Sequence, residues 1–131
     1  MAQRDQGSGA SAELGRKLQL GRGQSLSVTG DVNLLGDGAL REVLEALDRG
    51  GDDAASLFIV SNAHSLESLV TRIVASAVAD GLTWVAYPKA GQLRTDLNRD
   101  VLAAFLIERG TRPVRQIALD ATWSALRFRP Q

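Results

Sequence analysis

The segment from Ala55 to Tyr87 constrains the fold more than any other. It opens with ASLFIVS and closes with LTWVAY, two continuous apolar runs. Between them Leu66, Leu69, Val70, Ile73, Val74, Ala77 and Val78 recur at helical spacing, with Ser65 as the expected cap and Asp80-Gly81 as the stop. An uninterrupted apolar strand fits a sheet covered on both faces, where neither side of the strand meets water. Two such strands joined by an amphipathic helix run parallel, through a crossover expected to be right-handed.

The rest of the chain follows the same grammar. QSLSVTG reads as a first strand. DGALREVLEALDRGG carries Leu40, Val43, Leu44 and Leu47 on one helical stripe, begins near Asp37 or Gly38 and closes at Gly50. SAELGRKLQLG is a short helix with Ser11 as N-cap and Gly21 at its end. TDLNRDVLAAFLIERG is a further helix, started by Thr95 or Asp96 and stopped by Gly110 and Pro113. VRQIALD and WSALRFR lie only about two residues apart, which predicts an antiparallel hairpin. The expected fold is α/β and three-layered, Rossmann-like, with a mainly parallel sheet of about five strands and a C-terminal antiparallel hairpin. Residues 1–12 are expected to be a disordered tail and 13–131 a single domain.

Composition narrows the chemistry. Cysteine is absent and histidine occurs once, which argues against zinc, iron–sulfur and disulfide frameworks; no metal and no cofactor is expected. The N-terminus MAQRDQGSGASA lacks the apolar stretch of a signal peptide, and no later apolar run nears the roughly 20 residues that span a bilayer. A cytoplasmic protein without membrane contact is expected. The net charge is zero but unevenly spread: nine acidic and three basic residues lie from Asp31 to Thr83, against four acidic and eight basic from Trp84 to Gln131. A basic C-terminal third attracts phosphate, although scattered arginines more often form a solvated face.

In parallel sheets ligands sit beyond the carboxyl ends of the strands. The loops there supply Gly30, Asp31 and Asn33 after the first strand, Ser61, Asn62 and His64 after the second, and Lys89, Arg94 and Asp96 after the third. Each also has a plainer explanation. The glycine loop VTGDVNLLGDG lacks G-x-G-x-x-G spacing, and Asp31 would repel a phosphate. Ser61 and His64 come without a G-x-S-x-G elbow, so capping or solvation accounts for His64 better than catalysis does. Pro88 ends a ladder because it has no N–H, and Asp96 suits a helix start. Lys89 is left for an ion pair with Asp96 or Asp31, or for an anionic ligand. Trp123 reads as a packing anchor before a stacking platform, and Asp120 as a turn residue.

The motifs WVAYPK, TDLNRD and LDATWSALRF resemble those of a bacterial family of small proteins of unknown function, with a W-V-x-x-P-K strand end, a T-D-L helix start and a D-x-x-W-S-x-L-x-F hairpin. The likeness is good from about Asp80 to Arg129 and looser from Leu14. The topology also resembles class I S-adenosylmethionine-dependent methyltransferases shortened between the first two strands. Against that stand the missing glycine signature, the missing acidic residue that would hold the ribose, and the lack of an N-P-P-Y or D-P-P-Y motif. Three readings follow. The first is a non-catalytic or degenerate binding domain for a small anionic ligand or a protein partner. The alternative is a methyltransferase-like enzyme using Ser61, Asn62, Lys89 and Asp96. The weakest is a nucleic-acid-binding accessory using Lys89, Arg94, Arg112, Arg115, Arg127 and Arg129 with Trp123 for stacking.

Overall fold

In a computed structural model, which describes the backbone of residues 2–131 and the side chains from Gly9 onward, the expected first strand and the two apolar runs become neighbouring parallel strands. These are β1 (Leu26–Gly30), β2 (Ala55–Ile59) and β3 (Thr83–Pro88), in register through Leu26↔Ala55 and Leu57↔Trp84. The C-terminal runs become β4 (Thr111–Ala118) and β5 (Trp123–Pro130). The strand order is β1-β2-β3-β5-β4. Because the hairpin folds back between β3 and β4, β5 is antiparallel to both neighbours. Two pairings are parallel and two antiparallel, so the sheet is mixed rather than mainly parallel.

Four α-helices cover this sheet: α1 (Ala2–Lys17), α2 (Ala39–Leu47), α3 (Ala63–Val78) and α4 (Arg99–Ile107). The period-two alternation of the strands assigns the faces. Leu57, Ile59, Trp84, Ala86 and Ala125 point to α1 and α2, meeting Leu14, Leu18, Leu44 and Leu47. Phe58, Val60, Val85, Leu126 and Phe128 point to α3 and α4, meeting Leu66, Ile73, Leu102 and Leu106. Each fully buried leucine or isoleucine stabilises this packing by about 1.5–3 kcal/mol. The buried Trp84 indole also donates to the Leu18 carbonyl at 2.9 Å, tying the end of α1 to the central strand. Among the described residues no helix is long and apolar enough to cross a membrane.

The connections β1–α2–β2 and β2–α3–β3 step the same way across the sheet, yet α2 and α3 lie on opposite faces. The two crossovers therefore have opposite hands, and one departs from the expected right-handed rule. The β3–α4–β4 crossover steps the same way with its helix on the α3 face, so β1–α2–β2 is the odd one. Its return path is pinned along the free edge of β1, where Gly50 N–H donates to the Leu26 carbonyl at 2.9 Å and Val28 N–H donates to the Asp48 carboxylate at 3.1 Å.

Several local boundaries differ from the sequence reading. Ser11 lies inside α1 rather than at its start, since no proline halts the helix before it. Met1 and the side chains of residues 2–8 lie outside the described residues, and the tail expected over residues 1–12 falls mostly on them. Helix α3 is capped by Asn62, whose side chain accepts from Ser65 N–H at 2.9 Å, and Ser65 returns the bond as the third residue of a capping box. Helix α4 starts only at Arg99, because Asn98 caps it through Val101 N–H, again at 2.9 Å. The hairpin connection covers residues 119–122 and is longer than expected; Asp120 accepts from Thr122 and Trp123 N–H at 2.7 Å each. Pro113 is accommodated on the outer strand β4, where the register shifts between Pro113 and Arg115.

Candidate functional site

The loops beyond β1, β2 and β3 converge in one hydrogen-bonded network. The Asp31 carboxylate accepts from Ser61 Oγ at 2.7 Å and from Ser61 N–H at 3.1 Å. Thr95 Oγ1 donates to the Ser61 carbonyl at 2.7 Å, and Asp96 accepts from Ala63 N–H at 2.8 Å. Gly30 permits the tight exit from β1: its φ is 115°, and a Cβ there would collide with the Ile59 carbonyl. The N-terminus of α3 is thus served by Asn62, Ser65 and Asp96, all from the chain itself. A carboxylate holds the place an incoming anion would take.

This network gathers Gly30, Asp31, Ser61, Asn62 and Asp96. It leaves out other expected site residues. Asn33 is exposed on a short 3-10 turn over Val32–Leu35, and His64 is exposed on the first turn of α3. Arg94 is exposed at the end of a second 3-10 turn, with a left-handed φ of 53°. Lys89 pairs with neither Asp96 nor Asp31, nor with any carboxylate among the described residues.

Lys89 instead borders a cleft of about 680 Å³ between the end of β3, the start of α4 and the hairpin. Its N–H donates to the Thr122 carbonyl at 2.8 Å, fixing the backbone to the hairpin turn while the side chain stays half-buried. Tyr87, Arg99, Gln116 and Ser124 line the same cleft. The Tyr87 hydroxyl accepts from Gln116 Nε2 at 3.3 Å. Burial pushes the Tyr87 hydroxyl pKa up, and the nearby Arg99 cation and a Ser124 hydrogen bond oppose that rise. Arg99 Nη1 lies 3.3 Å from the Asp100 carboxylate, so its charge is partly compensated, whereas that of Lys89 is not. The cleft therefore presents two cations, the Asp100 carboxylate that Arg99 partly neutralises, a neutral phenol, a serine hydroxyl and the amides of Asn98 and Gln116 to whatever enters.

Sequence reading missed Tyr87, Arg99, Gln116 and Ser124. Their meeting depends on the register of β5 against β3, which pairs Tyr87 with Ser124, and on the β4 register, which pairs Gln116 with Leu126. The basic set divides as well. Arg112, Arg115, Arg127 and Arg129 share one face of the hairpin, while Lys89 and Arg94 lie past the carboxyl end of β3. Trp123 is 2 % exposed and packs in the α1–α2 core, so it is an anchor and no stacking platform. Among the described residues no group of three or more His, Cys, Asp or Glu side chains could hold a metal ion. No protein-family model matches the chain, nor does any curated protein or any solved structure.

Proposed function

We propose that the protein is a non-catalytic, Rossmann-like binding domain that takes a small anionic ligand in the Lys89 cleft. Lys89 carries the reading: a partly buried lysine, held by its backbone at the mouth of a roomy cleft, whose ammonium has no carboxylate partner among the described residues. A cation left without a counter-ion at the mouth of a cleft attracts an anionic ligand. Arg99 adds a guanidinium that can hold an oxyanion in a fork, and Tyr87 adds a hydroxyl donor. The methyltransferase-like alternative has less behind it, because Asp31 and Asp96 are already bonded to Ser61 and to the start of α3. Nothing at the cleft pairs a nucleophile with a base, which favours binding over turnover. A cytoplasmic setting and kinship with the small bacterial family remain part of this proposal.

The test is a thermal-shift screen with inorganic phosphate, dicarboxylates, nucleotides, S-adenosylmethionine and its demethylated product. A ligand of the native state raises the melting temperature. The expected result is a rise with a small di- or tri-anion that disappears in Lys89→Ala. A rise confined to S-adenosylmethionine, retained in Lys89→Ala, would replace this reading with the enzymatic one.

A further inference from the structure

The β4–β5 hairpin carries a second cationic surface at the other end of the sheet. Its register places Arg112 opposite Arg129 and Arg115 opposite Arg127. Arg127 in turn lies opposite Trp84, whose side chain points to the α1 face, so all four guanidinium stems leave the sheet on that side. Exposed Arg16 and Lys17 end α1 just before Gln19, which accepts from Arg127 Nη1 at 2.6 Å. Like charges directly opposite on a sheet destabilise it. Among the described residues one carboxylate answers this group: Asp80 meets Arg129 through both oxygens at 3.1 Å. Arg127 Nε is buried and has no partner. The two like-charged pairs are a cost that the fold does not require and that a polyanion bound over the exposed guanidinium groups would offset.

We infer that this face binds the phosphodiester backbone of duplex nucleic acid, without reading its sequence. Guanidinium forks match phosphate oxygens, and backbone contacts of this kind fix position but carry no base information. The surface is an open sheet face, suited to an extended ligand. No aromatic ring is offered there: Trp84 is 0 %, Trp123 2 % and Phe128 0 % exposed, so the stacking that single-strand binders rely on has no platform. An acidic peptide would gain most by adding a strand along β4, but Pro113 and the shift in register beside it interrupt that edge.

Fluorescence anisotropy of two labelled duplexes of unrelated sequence tests this, with the full-length protein at rising salt. Four phosphate contacts predict a log–log salt slope of about −3.6, or roughly a hundredfold loss of affinity between about 50 and 200 mM salt, alike for both duplexes. Arg112→Gln/Arg115→Gln alters two exposed side chains and is expected to cut the slope to about half. Lys89→Ala, which changes the separate cleft, is expected to leave duplex binding intact. The proposal fails if neither duplex binds at about 50 mM salt, if the double variant binds as wild type does, or if an acidic peptide of equal charge binds more tightly than the duplex; the last result would assign the face to a protein partner.

Discussion

Asp96, on the segment leaving β3, accepts a hydrogen bond at 2.8 Å from the N–H of Ala63, the first residue of α3. A side chain from one crossover thus caps the helix of the crossover before it. With Thr95 on the Ser61 carbonyl and Ser61 on Asp31, the exits of all three parallel strands are joined. The helix end that would otherwise attract an anion already holds one, which is why the ligand question moves to Lys89.

Asp96→Ala is expected to cost about 1 kcal/mol, as other lost N-caps do. The loss should fall on α3, not on α4, which keeps its own Asn98 cap. Urea unfolding gives the magnitude and amide exchange gives the place: Ala63 N–H should exchange faster in the variant. Unchanged protection at Ala63 would mean that the bond does not form in solution.

Gly30→Ala is expected to destabilise by about 1–3 kcal/mol, because it combines a strained backbone conformation with a steric clash. The φ of 115° disfavours any side chain, and the added Cβ would meet the Ile59 carbonyl and approach Leu69 Cδ1 to 3.0 Å. Gly23→Ala is the matched control, with a φ of 74° and open space around the added carbon. Denaturation midpoints should rank Gly30→Ala clearly below Gly23→Ala. Equal midpoints would show that β1 and β2 can part without cost.

What was legible in the sequence was what is local. Leu66, Ile73 and Ala77 declare a helix, and SLFIV declares a buried strand, because apolar periodicity needs no knowledge of neighbours. The role of Asp96 was hidden because its partner lies 33 residues earlier. Gly30 drew notice as a phosphate-loop glycine, yet its need is for close contact with β2. The Lys89 cleft was half visible: the lysine stood out, but Tyr87, Gln116 and Ser124 come together only through a register set by the hairpin turn and the irregularity at Pro113. That β1–α2–β2 and β2–α3–β3 have opposite hands was announced by no residue pattern.

The Asp80–Arg129 pair gives a pH signature. Its hydrogen bond to Arg129 is the main reason the Asp80 pKa lies below the usual carboxylate value. A depressed folded pKa contributes stability that is present above the unfolded value, near 4, and is lost as pH falls through the folded one. Asp80→Asn, which still suits the left-handed φ of 60°, should therefore melt slightly below wild type at pH 7. The gap should narrow as pH falls below the unfolded value and close once wild-type Asp80 is protonated in the folded state. The effect is small because both side chains are about half exposed. A gap that persists unchanged at low pH would assign the difference to something other than this charge pair.

Trp123 offers the sharpest separation of stability from binding. It opens β5 opposite Pro88, is 2 % exposed, and packs in the cluster that includes Leu14, Leu18, Leu44 and Leu47. Trp123→Ala removes the indole from a closely packed interior and is expected to cost about 3 kcal/mol or more, seen as a lower urea midpoint with the slope unchanged. The turn before it should survive, since Asp120 accepts from the backbone N–H of this residue. Trp123→Phe retains an aromatic ring and should recover much of the loss. If the indole served nucleic acid as a stacking platform, Trp123→Phe would weaken duplex binding while sparing stability. The expected outcome is the reverse, a lower unfolding midpoint with the affinity and salt slope of the folded protein unchanged, because the four arginines act from a part of the face that the indole does not reach.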